Sequence, residues 1–290
     1  MAASRVTILA GGSWPVPELP ETETIARDLD QAVTGQRIAG ANVPRPDVLR
    51  KITPSVLVKR ITGAIILRCW RRAKLIVFEL STGDRLVVHP RFTGTLLIDD
   101  GSPAPAETKY AAVTLRLADG RRLHYRDIRR LGTVSLMNPD QWELCSARLG
   151  SEPLDPDFTA SHLSGIVRGS RRMVKKVLMD QRLIAGVGNI YANEALWRAG
   201  IDPSRRADSL DPREIGSLRD GIVSVLEESI AARGTTFRDF RDARGARGEF
   251  ASHLAAYGRA GLPCLRCGAR LIGTAAIDGR GTVFCAGCQR

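Results

Sequence analysis

Hydrophobic and polar positions change their spacing twice along the chain. Apolar side chains recur at helical spacing over residues 24–34, and Gly35 marks the end of the predicted helix. From about residue 36 to 138 the pattern consists of short apolar or alternating runs separated by glycine-containing turns, which is typical of a β-sandwich or barrel. The predicted strands are Leu75–Leu80, Arg85–His89, Thr95–Ile98, Ala112–Leu117, Arg121–Arg126 and Thr133–Met137.

The character of the sequence changes at a loop near residue 150. Beyond this loop the apolar positions keep helical spacing and lose strand alternation. We therefore predict a β-rich domain before residue 150 and a helical domain after it. The predicted helices cover residues 159–169, 171–181, 189–199, 211–232 and 248–256.

The net charge of the chain indicates the kind of partner that it binds. The chain has 290 residues, with 43 Lys and Arg against 31 Asp and Glu, and a net charge of +12. Such an excess on a folded chain points to a polyanionic partner, most simply nucleic acid. Only six of the basic residues are lysines, and codon bias in a GC-rich gene explains most of the arginine excess. No apolar run approaches the roughly 18 residues of a transmembrane helix, so we expect no membrane contact.

Four of the six cysteines are arranged as a metal site. Cys264 and Cys267 form one C-x2-C pair, and Cys285 and Cys288 form a second pair after 17 intervening residues. This spacing predicts four thiolate ligands for one structural zinc ion, with a β-hairpin between the pairs. Disulfides would need an oxidising compartment, and residues 1–15 lack the basic and apolar regions of a secretory signal.

Two segments of the N-terminal half could carry acid–base or nucleophilic chemistry. Residues 17–24 (PELPETET) place prolines and glutamates before the first predicted helix, where they could also be a rigid lead-in with acids favoured by the helix dipole. Lys74 opens the strand at 75–80 and is predicted to share its face with Ile76, Phe78 and Leu80. Lys74 could extend to solvent, or it could be partly desolvated and act as a proton carrier or amine nucleophile.

Three further segments could contact nucleic acid. Residues 89–94 (HPRFTG) and 127–132 (DIRRLG) each place arginine beside a bulky apolar residue at a strand end. That composition suits a phosphate contact beside an intercalating wedge, and it also suits any surface turn. Residues 186–194 (GVGNIYANE) allow a tight turn into a helix, whose first N–H groups can hold a phosphate.

Together these segments are more specific than any one of them. The chain resembles the formamidopyrimidine-DNA glycosylase family from about residue 16 to 290, in PELPETET, RRAK, HPRFTG, RDIRRLG, LGSEPL, LMDQRLIAGVGNIYANEAL, GTTFRDF, YGRAG and the cysteine pattern. Members excise oxidised bases and then cut the strand at the abasic site. The resemblance implies an α+β multidomain fold, in which an N-terminal β-sandwich with a leading helix is followed by a helical helix–two-turn–helix domain and a four-cysteine zinc ribbon.

The same resemblance gives domain boundaries. We expect a non-structural extension at 1–16 and a catalytic β-sandwich domain at 17–148. A helix–two-turn–helix DNA-binding domain is expected at 149–256, and a zinc finger at 257–290.

The resemblance also implies roles for individual residues. Pro17 matches the N-terminal proline whose amine attacks the sugar C1′ of a flipped-out nucleotide, and Glu18 matches the acid that protonates the sugar oxygen. Lys74 matches the proton donor of β-elimination, and Arg280 matches the zinc-finger arginine linked to δ-elimination. The implied DNA contacts are Phe92, Tyr110, Arg129, Leu131, Arg171, Lys175 and Asn189, and the implied lesion-recognition loop contains Thr235 and Thr236.

The sequence departs from the family pattern where the gap left by a flipped base is filled. Phe92 stands where members usually have methionine, Leu131 where they have phenylalanine, and Ile128 where they have proline. Tyr110 replaces a usual histidine. Because Phe92 and Leu131 are still apolar, these changes bear on the preferred lesion and opposite base more than on the chemistry.

The position of Pro17 bears on activity, because an amide nitrogen inside a peptide bond cannot form an iminium. Val16 stands where the family has its initiator methionine, and GTG is both a valine codon and a bacterial start. We therefore hypothesise that translation begins at Val16, which is read as methionine and then removed.

These observations support a base-excision-repair DNA glycosylase/AP lyase for oxidised purines, with endonuclease VIII-like specificity for oxidised pyrimidines left open. If Pro17 is not N-terminal, the chain would instead be a non-catalytic binder of damaged or abasic DNA. An RNA-associated zinc-ribbon protein would explain the charge and the zinc but not PELPE together with RRAK. We expect a monomer that binds double-stranded damaged DNA at the nucleoid in a bacterial cytoplasm.

Overall fold

The chain divides into two units in the computed structural model, which describes residues 17–101, 108–237 and 240–290. The sandwich unit contains the described chain up to Arg148 together with Ile230–Glu249. The helical unit contains Leu149–Ser229 and Phe250–Arg290. The extension expected at 1–16 lies outside the described residues.

The sandwich unit opens with helix α1, Leu19–Val33. The predicted helix is confirmed, but its start is five residues earlier than expected. Helix formation begins there because Pro20 occupies the first turn and the Glu21 carboxylate accepts the backbone N–H of Glu18, 2.9 Å away. Ile25, Leu29 and Val33 of the apolar stripe are fully buried.

Eight strands form two antiparallel four-stranded sheets in this unit. The six predicted strands are confirmed to within one residue at each end, whereas β1 and β2 were not predicted. The sheet orders are β1-β6-β7-β5 and β2-β3-β4-β8. The strands are β1 (Ile38–Asn42), β2 (Ile66–Arg72), β3 (Leu75–Leu80), β4 (Arg85–His89), β5 (Gly94–Asp99), β6 (Ala111–Leu117), β7 (Arg122–Asp127) and β8 (Thr133–Met137).

One part of the region expected to be strand-like is helical. Helix α2, Pro54–Ile61, begins after Thr53, whose hydroxyl accepts the backbone N–H of Val56. Pro54 in the first turn and the buried Leu57 and Ile61 favour this short helix. The strand prediction was wrong here because the cap, and not apolar alternation, decides the local structure.

The inward faces of both sheets and of α1 share one hydrophobic core, which includes Phe78 and Tyr125. The outer face of the second sheet is covered by helix α3, Pro139–Ser146. Trp142 of this helix packs on Val77 and Val87 and meets the Trp70 ring edge-on at 6.1 Å.

Residues 230–249, here called the returning segment, follow most of the helical unit in the sequence but belong to the sandwich unit. Ile98 of β5 donates its N–H to the carbonyl of Ala243 at 3.0 Å, and the Thr95 hydroxyl donates to the carbonyl of Arg241 at 2.8 Å. The segment therefore lies along the free edge of β5. This placement departs from a single helical domain over 149–256.

The helical unit contains four helices and one hairpin among its described residues. Within residues 171–181 only the centre is helical. The N–H of Val174 donates to the carbonyl of Arg205, and the N–H of Ala207 donates to the carbonyl of Arg172, so the chain before the helix pairs with a distant segment instead. The helix expected at 248–256 is only a short 3₁₀ turn, Phe250–His253. The elements are α4 (Ala160–Arg168), α5 (Val174–Leu178), α6 (Asn189–Ala199), α7 (Pro212–Ala231), β9 (Ile272–Thr274) and β10 (Thr282–Phe284).

Strands β9 and β10 pair antiparallel, which confirms the hairpin predicted between the cysteine pairs. A membrane span is not among the elements: within the described chain, every helix is too short or too polar to cross a bilayer.

Replacement of Trp142 tests the packing of α3 on the outer face of the second sheet. Trp142→Ala should lower the free energy of unfolding by about 3 kcal/mol, because it removes a large side chain that is 6% exposed. Leu144→Ala on the same helix is the matched control, since Leu144 is 66% exposed and should change little. Urea denaturation measures both, and equal losses would contradict the packing described for α3.

Candidate functional site

The first turn of α1 is held by a buried carboxylate. Pro17 and Glu18 are both buried, and Glu18 is 2% exposed. One oxygen of Glu21 accepts the backbone N–H of Glu18, and the other accepts the backbone N–H of Thr235 at 2.7 Å. Glu21 thus joins the predicted catalytic residues to the predicted lesion-recognition loop.

Glu21 was missed as a functional residue, although its place three residues after Glu18 is a capping signal. Gly234 explains how closely the two segments approach. Its φ is 86°, and a Cβ there would lie 3.1 Å from the Glu21 carboxylate. A side chain at this position would therefore push the loop away from the first turn.

Lys74 lies in the two-residue turn that joins β2 to β3. The strand begins at Leu75 as predicted, and Lys74 precedes it in a turn in which Ala73 adopts a φ of 52°. Arg71 ties this turn to α1. Its guanidinium contacts Glu23 at 2.7 Å and donates to the carbonyl of Ala73 at 3.1 Å.

A basic cluster surrounds the Lys74 turn. Burial, together with the positive charges of Arg91 and Lys74, lowers the pKa of His89 to about 4. His89 is therefore neutral at pH 7, and the positive charge of this cluster belongs to Lys74 and Arg91. A neutral imidazole between two cations reduces the repulsion that a third charge would cause.

One buried carboxylate also fixes the two loops that carry the predicted wedge residues. Asp127 accepts the Thr93 hydroxyl at 2.6 Å, the Tyr125 hydroxyl at 3.1 Å and the Gly132 N–H at 2.8 Å. The backbone N–H of Arg129 donates to the Thr93 oxygen at 2.9 Å. Because the bonds come from both loops, loops 90–93 and 128–131 are fixed relative to each other.

The tips of these loops present stacked and exposed apolar groups. The Arg129 guanidinium lies over the Phe92 ring, 5.1 Å from its centroid, and Leu131 is 40% exposed. Arg91 and Arg130 adopt positive φ angles of 52° and 55°, a conformation that costs non-glycine residues energy and is common at functional sites. The structure therefore brings the predicted wedge residues together.

Tyr110 is also beside positive charge. The Arg45 guanidinium lies 5.5 Å from its ring centroid, and the Lys109 ammonium lies 5.6 Å away. An aromatic face between two cations suits a sugar–phosphate chain.

In the helical unit, the glycine turn leads into α6 as predicted. The Gln181 side chain accepts the Gly186 N–H at 2.9 Å and donates to the Val187 carbonyl at 2.6 Å. Gly188 then caps α6 with no side chain over the helix N-terminus, whose positive end of the helix dipole suits an anionic ligand. The Asn189 amide donates to the Gly281 carbonyl at 3.0 Å, and so lies beside the zinc-finger turn.

The predicted DNA contact of Lys175 does not fit its position. Its side chain is fully buried, and its ammonium donates to the Thr282 hydroxyl at 2.7 Å and contacts Asp278 at 3.4 Å. Asp278 also accepts the backbone N–H of Arg280 at 3.0 Å. Lys175 therefore supports the turn that exposes Arg280, and the neighbouring exposed residues are Arg171, Arg172 and Lys176.

The four cysteines of the zinc ribbon converge on one point. The sulfurs of Cys264, Cys267, Cys285 and Cys288 all lie within 4.8 Å of one another. A tetrahedral zinc ion with Zn–S bonds of about 2.3 Å holds its sulfurs about 3.8 Å apart, so this set fits zinc. Gln289 accepts the Cys285 N–H at 2.8 Å and donates to the Ile201 carbonyl at 2.9 Å, which anchors the ribbon within the helical unit.

Sequence models of three domains match the chain in order. The formamidopyrimidine-DNA glycosylase N-terminal domain matches residues 16–134, and the formamidopyrimidine-DNA glycosylase H2TH domain matches 149–241. The zinc finger found in FPG and IleRS matches 261–290. With the cysteine cluster, this match establishes one structural zinc ion.

Similar proteins cover nearly the whole chain. The formamidopyrimidine-DNA glycosylase of Roseiflexus sp. (strain RS-1) is 40% identical over 278 residues, which cover 95% of this chain and 100% of the relative. That of Moorella thermoacetica is 44% identical over 255 residues, or 87% of this chain and 92% of the relative.

Solved structures show the same fold. Lactococcus lactis Fpg in complex with abasic-site DNA has a TM-score of 0.85 and 33% identity, and covers 94% of this chain and 99% of its own. The MutM (Fpg) protein of Thermus thermophilus has a TM-score of 0.82 and 38% identity, with 94% and 98% covered.

The lowered pKa of His89 predicts a pH dependence of stability. Between pH 6.5 and about 4 the unfolded chain binds a proton that folded His89 does not, so the free energy of unfolding should fall as pH falls, by up to about 3 kcal/mol. The full contribution is present above pH 6.5. Denaturation of His89→Gln across this range should show a shallower fall than the wild type, whereas His162→Gln should retain it. An unchanged slope in His89→Gln would contradict the burial of this imidazole.

Proposed function

The chain belongs to the formamidopyrimidine-DNA glycosylase family, and from this premise we propose that it removes oxidised purines, such as 8-oxoguanine and formamidopyrimidines, from double-stranded DNA. It is a DNA glycosylase/AP lyase that acts in base excision repair. The observation that carries the proposal is the Glu21 carboxylate, which holds Glu18 and Thr235 together in one unit.

The proposed reaction begins with the secondary amine of Pro17. After the damaged nucleotide has left the base stack, the nitrogen lone pair attacks the sugar C1′. The bond from C1′ to the base then breaks, and the base leaves with the bonding electrons and takes up a proton. A terminal amine titrates at about 8 and a lysine at about 10.4, so the amine of a terminal proline is more often neutral at pH 7 than that of Lys74.

The proline nitrogen then loses its proton, and its lone pair forms a double bond to C1′ as the bond from C1′ to the ring oxygen breaks. The resulting iminium acidifies the neighbouring sugar proton, whose loss leads to β-elimination of a phosphate. We assign Glu18 as the acid that protonates the sugar oxygen, and Lys74 as the proton donor of β-elimination. The burial of Glu18 and the tether between the Lys74 turn and α1 support these two assignments. Arg280, exposed on its turn, is assigned to hold phosphate during δ-elimination.

This chemistry requires Pro17 to be the first residue of the working enzyme. The match to the N-terminal domain model begins at residue 16, one residue before Pro17. If they are retained, the nitrogen of Pro17 is an amide and the chain binds damaged DNA without cutting it.

We further propose that Phe92 and Leu131 fill the gap left by the flipped nucleotide, with Arg129 beside them. Their position at loop tips held by Asp127, where Phe92 is half-buried and Leu131 is exposed, supports this role. In the helical unit we propose phosphate contacts at Arg171 and Asn189, with Lys176 in place of the buried Lys175.

The nature of the nucleophile is tested by borohydride trapping on abasic-site DNA. Protein that begins at Pro17 should form a covalent adduct, because reduction fixes the iminium. The matched control retains residues 1–16 and has the same side chains, and it should form none. Intact mass establishes the terminus of each form. Protein expressed from the native gene should begin at Pro17. An adduct with the extended form would exclude Pro17 as the nucleophile.

Truncation of Phe92 tests the wedge. Phe92→Ala should weaken binding to an abasic-site duplex about tenfold, because stacking of one base on an aromatic ring contributes roughly 1–3 kcal/mol. Leu144→Ala, an exposed apolar residue of the same unit, is the control and should bind as the wild type. Fluorescence anisotropy measures both affinities. Equal affinity of Phe92→Ala and wild type would show that Phe92 does not fill the gap.

A further inference from the structure

Arg233 bridges two acidic side chains in the sandwich unit. Its guanidinium lies 2.5 Å from a carboxylate oxygen of Asp28 in α1 and 2.5 Å from one of Asp242 in the returning segment. The Arg233 Nε also donates to Asp242 at 2.9 Å. Asp28 is 7% exposed and Asp242 is 1% exposed, whereas the Arg233 side chain is 40% exposed, so the clamp joins two buried carboxylates through a guanidinium that is partly open to water.

The charges make Arg233 necessary for the arrangement. Two nearly buried carboxylates would repel each other and lose hydration, and one guanidinium with a planar set of donors satisfies both. The other oxygen of Asp242 accepts the N–H groups of Arg244 and Ala246, at 3.0 and 2.8 Å. The clamp therefore fixes the turn at 242–246 as well as its distance from α1.

Arg233 directly precedes the loop proposed to recognise the lesion. Thr235 is bonded through its N–H to Glu21, and the Thr236 hydroxyl accepts the Gly248 N–H at 2.8 Å. The Glu249 N–H donates to the Ala232 carbonyl at 2.9 Å, which closes the two ends of the segment together. The clamp adds ion pairs between side chains to a set of hydrogen bonds that mostly involve backbone groups.

We propose that Arg233 is a positioning residue, which orders Thr235 and Thr236 before DNA binds by holding the returning segment on α1. The inference rests on the proposed function, because it assigns these threonines to recognition of the damaged base. A loop ordered in advance does not lose its freedom when the base arrives, so excision gains from the clamp. A preformed abasic site has no base to be recognised, so its cutting does not depend on the clamp.

The backbone at Arg233 suggests how to remove the clamp without other damage. Its φ is 59°, a conformation that asparagine tolerates better than most residues. Arg233→Asn therefore removes the guanidinium and keeps the turn. Asp242→Asn keeps an oxygen for the N–H groups of Arg244 and Ala246 and removes the charge, and Arg233→Lys keeps the charge without the planar fork.

The test compares two reactions of protein that begins at Pro17. Single-turnover excision from an 8-oxoguanine duplex should slow roughly tenfold in Arg233→Asn and Asp242→Asn, the loss expected from one charge-assisted contact. Cutting of a preformed abasic duplex should stay within about twofold of wild type, and Arg233→Lys should recover part of the excision rate. Arg85→Asn, which breaks a cross-strand pair with Glu79 outside the returning segment, should change neither.

Limited trypsin digestion of the DNA-free proteins gives a second measurement that is independent of activity. Cleavage at the exposed Arg244 and Arg247 should be faster in both clamp variants than in wild type or Arg85→Asn. Equal losses of excision and abasic cutting, unchanged excision, or unchanged cleavage by trypsin would each overturn the proposal. If wild type excises only oxidised pyrimidines, the purine assignment fails, and the clamp is judged by the same comparison on that base.

Discussion

The candidate site residues of the sandwich unit depend on the buried carboxylate of Glu21. A buried charge must be compensated, and here two backbone N–H groups do so, one from Glu18 and one from Thr235. These two groups are separated by more than 200 residues of chain. The helix cap therefore also determines where the returning segment lies. The two carboxylate oxygens of Glu21 serve both local helix formation and long-range assembly.

Asp127 has the same role for the loops that carry Phe92 and Leu131. Several donors from both loops converge on one side chain with no exposed surface, which limits how far either loop tip can move. In this frame the Arg129 guanidinium stacks on the Phe92 ring, so a cation and an aromatic side chain lie side by side at the loop tips.

Much of the fold could be predicted because its signals are local. The strands at 75–80, 85–89 and 133–137 and the helix at 189–199 follow from apolar spacing and turn residues, and the zinc ribbon follows from cysteine spacing. Helix α2, the early start of α1 and the reduced length of the helix predicted at 171–181 were missed, because caps and tertiary hydrogen bonds override apolar spacing there. The turn before β3 was not predicted, since a φ of 52° at Ala73 has no signal in the side chain of alanine.

The amino-acid sequence by itself determined the types of chemistry, namely a proline with adjacent acids, two arginine-rich loops and four thiolates, because these depend on residue type and spacing. Tertiary structure decided which charges are exposed and which are internal. Lys175 and Lys176 are neighbours in the sequence, but only the partners of Lys175, Asp278 and Thr282, show that its ammonium is buried. Such partners come from distant parts of the chain, and burial is a property of the assembled fold, so neither can be derived from local pattern.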